Sequence, residues 1–376
     1  MKFTIEKNTL KNALDIVNHA TAWVTTSPIL ENILIKVNFQ NIVFASNNLE
    51  MSIECLVTDK IKITSEGSFC VPAKLFSSYV SLIDEDEIEV ELMWNENIQI
   101  KTQAWKTKIK WKDAEEFPLI PKIKEELSIK VNGGVLKKAI EKTLFSSAEW
   151  NIRPTLAGIY VNISPSGAKF ASTDSFRLSE YKTSLENASD TVFSHIIPNK
   201  TAFEIKGVIK EDQEITLVSW ENQIGFFFGD VRVYSRLLNG RFPDYDSENN
   251  KFFPTKFATQ AEVNRFDLIQ ALKKINLISR ENNYSIKMSF SAENGILIET
   301  SQTQIGEWEV VIKASIEWED NIIGINSTYF LEVLWVIESS HITIGFETPL
   351  SPILITPTEE KKGKSEFRHI IMPLKI

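Results

Sequence analysis

The sequence predicts an α+β fold in which one unit of roughly 125 residues is repeated three times in tandem. Three observations predict it. An amphipathic helix opens each third of the chain, a second helix recurs in the middle of each third, and strand-like runs recur between and after them.

The opening helices are expected at Asn8–Ala20, Gly134–Ala148 and Asn264–Ser279, each with Leu, Ile, Val or Ala at i, i+3, i+4 and i+7. Each follows a short alternating strand: KFTIE, LSIKV and FATQAEV. The middle helices are expected over residues 71–83, 197–209 and 325–337. Pro72 and Pro198 mark the first two starts, where a missing N–H leaves no bond unmade. Asn326 and Ser327 are cap-type residues at the third.

The strand material corresponds as well. Residues 41–55 and 167–181 share a Phe-Ala-Ser core one repeat apart, with a weaker echo at 295–310. Each third closes on a strand-rich stretch, at 98–111, 224–238 and 365–376. Strand, helix, strands, helix, strands, on short connections, implies antiparallel sheets. The expected domains are 1–124, 125–254 and 255–376, divided at Pro-bearing polar segments.

Composition sets bounds. With 376 residues, 43% apolar and 24% charged, the chain reads as a multi-domain globular protein. The net charge of −9 argues against nucleic acid on average, but an average conceals local surfaces. Cys55 and Cys70 have no metal-ligand spacing; two free core thiols or one bridge both fit the sequence. No secretory leader pattern opens the chain and no apolar run reaches membrane-spanning length, so a cytoplasmic protein is expected.

Catalytic signals are missing. His19, His195, His341 and His369 form no ligand pair, and no nucleophile elbow, P-loop or dinucleotide fingerprint occurs. The acidic run Asp84–Glu87 lies between a helix and a strand, where a solvated turn is the ordinary reading. No cofactor or metal is expected.

Two short segments carry opposite charge. Trp105–Lys112 alternates strictly, placing Lys106, Lys108, Lys110 and Lys112 on one face and Trp105, Thr107, Ile109 and Trp111 on the other. Gly306–Ile312 places Glu307 and Glu309 opposite Trp308 and Val310. The lysines either guard an exposed edge against aggregation or pair with the acidic strand; the existence of that strand favours pairing. Lysines also crowd the predicted helices: Lys7, Lys11, Lys74, Lys137, Lys138, Lys142, Lys200, Lys206, Lys210, Lys273 and Lys274. Solvent-facing lysines are common on any such helix.

The segments TSPILENILI (26–35), ASTDSFRLSEY (171–181), LLNGRFPDY (237–245) and HIIMPLKI (369–376) together resemble the bacterial replicative sliding-clamp family, the beta subunit of DNA polymerase III. RPTLAGIYV (153–161) and SPILIT (351–356) resemble its Gram-positive members. The resemblance implies three clamp domains per chain and a head-to-tail homodimer ring, helices inside around duplex DNA and antiparallel sheets outside. It implies a processivity factor without chemistry of its own. Its implied partners are DNA, the polymerase III alpha subunit, the clamp loader and other proteins bearing a clamp-binding motif.

The resemblance also assigns residues. A groove for partner peptides maps to Leu156, Thr173, Ser175, Phe176, Arg177, Leu178, Pro243, Lys251 and Phe252. From the last third it takes Asn326, Tyr329, Met372, Pro373, Leu374, Lys375 and Ile376. The dimer interface maps to Lys106, Thr107, Lys108, Ile109, Lys110, Leu277 and Ile278, with Glu307 and Glu309 as the acidic counterpart. Lys7, Lys11, Trp150, Arg153, Lys200 and Lys206 map to the DNA-facing side; Trp150 fits either stacking on DNA or anchoring its loop. The chain departs from the family pattern at Ser175-Phe176 (usually Gly-His), at Thr107 (usually aromatic) and in an apparent insertion, Asp246–Asn249. These departures keep a second reading open: a clamp-like accessory or mobile-element paralogue acting mainly as a partner-binding scaffold.

Overall fold

The computed structural model describes residues 1–22, 25–93, 96–120, 123, 127–149, 153–185, 192–247, 250–300, 306–358 and 365–375. Six α-helices stand among the described residues, two in each third: α1 Lys7–Asn18, α2 Ala73–Ser81, α3 Gly133–Thr143, α4 Asn199–Val208, α5 Arg265–Ser279 and α6 Ser327–Val336. Each follows a strand directly. The periodicity is used as read: α1 buries Leu10, Ala13, Leu14 and Val17. Asn264 and Asn326 cap α5 and α6, each side-chain oxygen accepting two first-turn N–H bonds. Pro72 and Pro198 end the preceding strands rather than lying inside the helices.

The described residues form two compact units. The first is Met1–Gly134 with Phe203–Leu237; the second is Val135–Ala202 with Leu238–Ile376. The middle third therefore contributes strands to both. All recorded ladders are antiparallel, as the short connections require.

Unit one holds a five-stranded sheet edged by Lys106–Lys110 and an eight-stranded sheet. In the latter, Val231–Arg236, which closes the middle third, pairs with Met51–Val57 of the first third. Val233 stands opposite Ile53 and Arg232 opposite Glu54. Unit two holds a nine-stranded sheet, a four-stranded sheet edged by Glu309–Ile312 and a small hairpin, Asp246–Ser247 with Asn250–Lys251. In its large sheet, Ser365–Ile371 pairs with Arg177–Thr183, setting His369 opposite Ser179 and Arg368 opposite Glu180. Each unit thus contains one seam where the last strand of one repeat joins the preceding repeat.

Three expectations need correction. Trp105 lies outside the basic strand, its N–H bonding Thr102 Oγ1 in the preceding turn, and its side chain is 68% exposed. Lys142 is buried, its amine donating to the Val336 carbonyl and pairing with Glu338 at 3.1 Å, so it adds no surface charge. The acidic strand begins only at Glu309; Glu307 precedes it. Cys55 and Cys70 are free and buried, which settles the alternative left by the sequence. Burial pushes their thiols up to about 11 and about 12, so both stay protonated and inert.

Candidate functional site: an apolar groove in unit two

The groove starts from a turn. Thr173 Oγ1 accepts the Ser175 N–H at 3.0 Å and donates to the Arg177 carbonyl at 2.6 Å. Asp174 Oδ1 accepts the N–H groups of Phe176 and Arg177 at 2.9 and 3.0 Å. These bonds hold Ser175 at φ 82°, a left-handed conformation uncommon outside glycine. The turn reverses the chain so that Phe176 points outward while Leu178 enters the core.

Arg177 is 8% exposed, and its charge is spent internally. Nε donates to Asp174 at 2.9 Å, Nη1 donates to Glu332, and the guanidinium lies 4.4 Å from the Tyr329 ring centroid. Burial, then the Asp174 carboxylate, raises the Tyr329 phenol, so it stays neutral. The arginine thereby locks the turn to α6.

Leu178 and Ile370 join Leu156, Ala171, Ile196 and Phe242 in one buried cluster, which forms the floor. Above it lies a groove of about 580 Å³, bounded by Thr173, Ser175, Pro243, Lys251, Phe252 and Met372. The Met372 N–H donates to the Phe176 carbonyl at 2.8 Å and fixes one rim. Phe252 is 48% and Met372 42% exposed, so the groove offers apolar surface to a visitor.

Behind the floor cluster the structure is held by charge. Glu180, 1% exposed, accepts from Tyr245 OH at 2.8 Å and from Arg368 Nε at 3.0 Å. Asp246, in the small hairpin, reaches Lys169 at 2.7 Å and Lys182 at 3.4 Å. Burial opposes its charge, but Lys169 and Lys182 overcome that and hold its carboxyl below the usual range. Arg368 also stacks 4.1 Å from the Phe253 ring centroid. Asp246, the first residue of the apparent insertion, is therefore tethered by charge to the neighbouring strands, while residues 248–249 lie outside the described residues. Beneath it, His369 is wholly buried, Nδ1 against Ser179 Oγ at 2.8 Å and Nε2 without a partner. Burial, then the Arg177 charge, keeps this imidazole neutral.

Of the groove residues expected from sequence, Thr173, Ser175, Arg177, Leu178, Pro243, Lys251, Phe252 and Met372 line it. Leu156 lies in the floor cluster, Phe176 beside the rim at 59% exposure, and Tyr329 behind Arg177. Asn326 caps α6, and Leu374 bonds the Gly324 carbonyl as Pro373 and Lys375 run on past the rim. Ile376 lies outside the described residues. Pro254, Glu347, Ser351, Pro352 and Ile370 also line the groove and were missed. Ile370 belongs to the quoted HIIMPLKI segment, which was a usable signal.

Elsewhere, Lys106, Lys108 and Lys110 are exposed, Ile109 is buried, and Thr107 donates to Tyr79 OH at 2.6 Å. Leu277 is 76% exposed and Ile278 half-buried; Glu307 and Glu309 are exposed. Lys11 pairs with Asp15 at 2.6 Å, Lys206 lies 5.7 Å from the Phe203 ring centroid, Lys7 is half-buried and Lys200 exposed. Arg153 donates to Ser175 Oγ at 2.5 Å, which puts it on the groove rim. Trp150 lies outside the described residues.

The site is an apolar groove on a repeat scaffold, and the charges of Arg177, Glu180 and Asp246 are spent on holding the structure around it. Comparison carries this further. Family models for the DNA polymerase III beta subunit match the chain in order: the N-terminal domain over residues 1–121, the central domain over 130–244 and the C-terminal domain over 250–375. The beta sliding clamp of Bacillus subtilis is 30% identical over 370 residues, spanning 96% of this chain and 97% of that one. That of Streptococcus pneumoniae R6 is 28% identical over 382 residues, 99% of both. The crystal structure of the Streptococcus pneumoniae TIGR4 beta chain matches with a TM-score of 0.93 at 27% identity, covering all of both chains. The Bacillus subtilis clamp structure matches at 0.91 and 28%, covering 100% of this chain and 99% of that one.

The chain belongs to the DNA polymerase III beta subunit family, the beta sliding clamps. Its three clamp domains and its role as a non-catalytic processivity factor in DNA replication follow from that membership.

Proposed function

We propose that two copies of this chain join head to tail, encircle duplex DNA and tether DNA polymerase III through the groove in unit two. The observation that carries this is the pair of unlike sheet edges, Lys106–Lys110 basic and Glu309–Ile312 acidic, which suits a heterologous contact. The boundaries 1–124, 125–254 and 255–376 define the three domains in this reading. Leu277 and Ile278 join the edges in the interface.

Lys7, Lys11, Lys200 and Lys206 meet phosphates without reading bases. Arg153 belongs to the same DNA-facing set in this reading, and its bond to Ser175 Oγ supports a place close to the groove as well. The groove accepts a short peptide with apolar anchors from the polymerase alpha subunit, the clamp loader and other clamp-binding proteins. The protein works in the cytoplasm.

Topology supplies retention, so direct affinity for DNA stays weak and salt-sensitive. Loaded onto nicked circular DNA by a clamp loader, the protein should stay bound through gel filtration and be lost when the circle is cut. Equal retention before and after cutting would overturn the proposal.

A further inference from the structure

We infer that Asp246 is a positioning residue of the groove: its tether to Lys169 and Lys182, outside the groove, sets Lys251 and Phe252 in the wall that meets the peptide. This rests on the peptide-groove reading above and adds to it a residue that touches no ligand.

Tyr245 and Phe253 are both buried in the floor cluster. Between them stand two very short strands, Asp246–Ser247 and Asn250–Lys251. Asp246 pairs with Lys251 across this hairpin, and the Phe252 N–H donates to the Tyr245 carbonyl at 3.1 Å. The position of Asp246 is therefore passed to Lys251 and Phe252 through the backbone.

The two strands border different spaces. Lys251 and Phe252 line the groove, whereas Asp246 and Ser247 line a second cavity, of about 540 Å³, with Tyr160, Lys169 and His195. Pro243 borders both. The hairpin thus has open space on two sides and little packing to fix its lean. A two-stranded hairpin is marginal by itself in water. Its backbone bonds keep the strands together but do not say where the pair stands over the sheet. Among the described side chains between Tyr245 and Phe253, that of Asp246 alone bonds to the sheet.

Charge shows why the sheet holds it. Lys169 stands opposite Lys182, Lys182 opposite Glu366 and Glu180 opposite Arg368, so all five share one face. Two lysines directly opposite on neighbouring strands repel. The sheet's own carboxylates answer only part of the charge. Glu180 is 3.1 Å from Lys182 and accepts from Arg368, and Glu366 is 3.7 Å from Arg368. Three cations against two anions leave one positive charge over. Asp246 supplies the missing anion, 2.7 Å from Lys169, 3.4 Å from Lys182 and 3.8 Å from Arg368. Lys169, Lys182 and Asp246 are each only about one-third exposed, and a network of this kind outweighs an isolated surface pair.

The test uses a fluorescent peptide with a Leu-Phe anchor and no charged side chain, its affinity read by anisotropy. Asp246→Asn removes the charge and keeps the size. It should weaken binding by about fivefold, and Asp246→Glu should recover most of that loss. With Phe252→Ala already present, Asp246→Asn should cost less than about twofold, because the wall it positions is gone. A second readout needs no peptide. With para-fluorophenylalanine in place of Phe252, the fluorine resonance should shift in Asp246→Asn and return in Asp246→Glu. Equal losses of affinity with and without Phe252→Ala, or an unmoved resonance, would overturn the tether and leave the groove reading in place. A peptide that binds the Met372→Arg chain as tightly as the unaltered one would remove the groove reading, and the tether's role with it.

Discussion

The corner at residues 47–51 in unit one and the corner at residues 173–177 in unit two are the same object built twice. In both, a side-chain oxygen caps the turn: Asn47 accepts the Leu49 N–H, as Thr173 accepts that of Ser175. In both, the next residue accepts two N–H bonds, Asn48 from Glu50 and Met51, Asp174 from Phe176 and Arg177. Leu49 has φ 72° and Ser175 φ 82°. The incoming strand docks alike, Arg236 N–H on the Glu50 carbonyl at 3.1 Å and Met372 N–H on the Phe176 carbonyl at 2.8 Å. What differs is the side chains at that last contact. Glu50 and Arg236 make it charged in unit one, whereas Phe176 and Met372 make it apolar in unit two. Backbone architecture is common property of the repeat; binding is assigned by a few side chains on it.

Transplanting the charged pair gives the largest expected effect. Phe176→Glu with Met372→Arg keeps the backbone bond but removes the rim's apolar surface. Affinity for a peptide with apolar anchors should fall by about 2 kcal/mol or more, some thirtyfold, in calorimetry. Unchanged binding would place the peptide elsewhere.

The second test compares the seams. Val233 opposite Ile53 has nothing to titrate, whereas His369 opposite Ser179 holds a buried neutral imidazole. Its folded pKa lies below the unfolded value, so the unfolded chain takes up this proton first as pH falls. The stabilisation is complete above about pH 6.5 and is lost below it, at up to about 1.4 kcal/mol per pH unit. The double variant His369→Val, Ser179→Ile imports the unit-one seam. In urea unfolding between pH 7 and 5 its stability should decline less steeply than that of the unaltered chain. Parallel slopes would assign the acid sensitivity to other groups.

The smallest effect concerns the turn. A left-handed non-glycine residue carries about 1–2 kcal/mol of strain, and glycine there loses about 0.5–1 kcal/mol of chain entropy on folding. Ser175→Gly and Leu49→Gly should each raise stability by less than about 1 kcal/mol and by similar amounts in thermal melting. A destabilised Ser175→Gly alone would show that the bond from Arg153 matters more than the strain.

Much of this was legible in the sequence because it was periodic or repeated. All six helices follow from apolar spacing, and the Phe-Ala-Ser core marks equivalent strands. The rim followed from TDSFRL and MPLKI. The far wall was not readable: Glu347, Ser351 and Pro352 come from a hairpin turn that is longer than its counterparts in the other two thirds. The seams were also hidden, since nothing in Val231–Arg236 announces that its partner lies in the first third. Lys142 misled because a buried lysine and a solvated one look identical on a helix; the Val336 carbonyl and Glu338 decide between them.

The unlike edges have a genetic consequence. In a homodimer joined head to tail, a change at residue 106 appears in both seams, so its effect on assembly is counted twice. Copies bearing Lys106→Glu, mixed with copies bearing Glu309→Lys, would instead make a dimer with one seam of reversed polarity and one unaltered. Such a dimer has a designated door, and loading could then be asked to use one side.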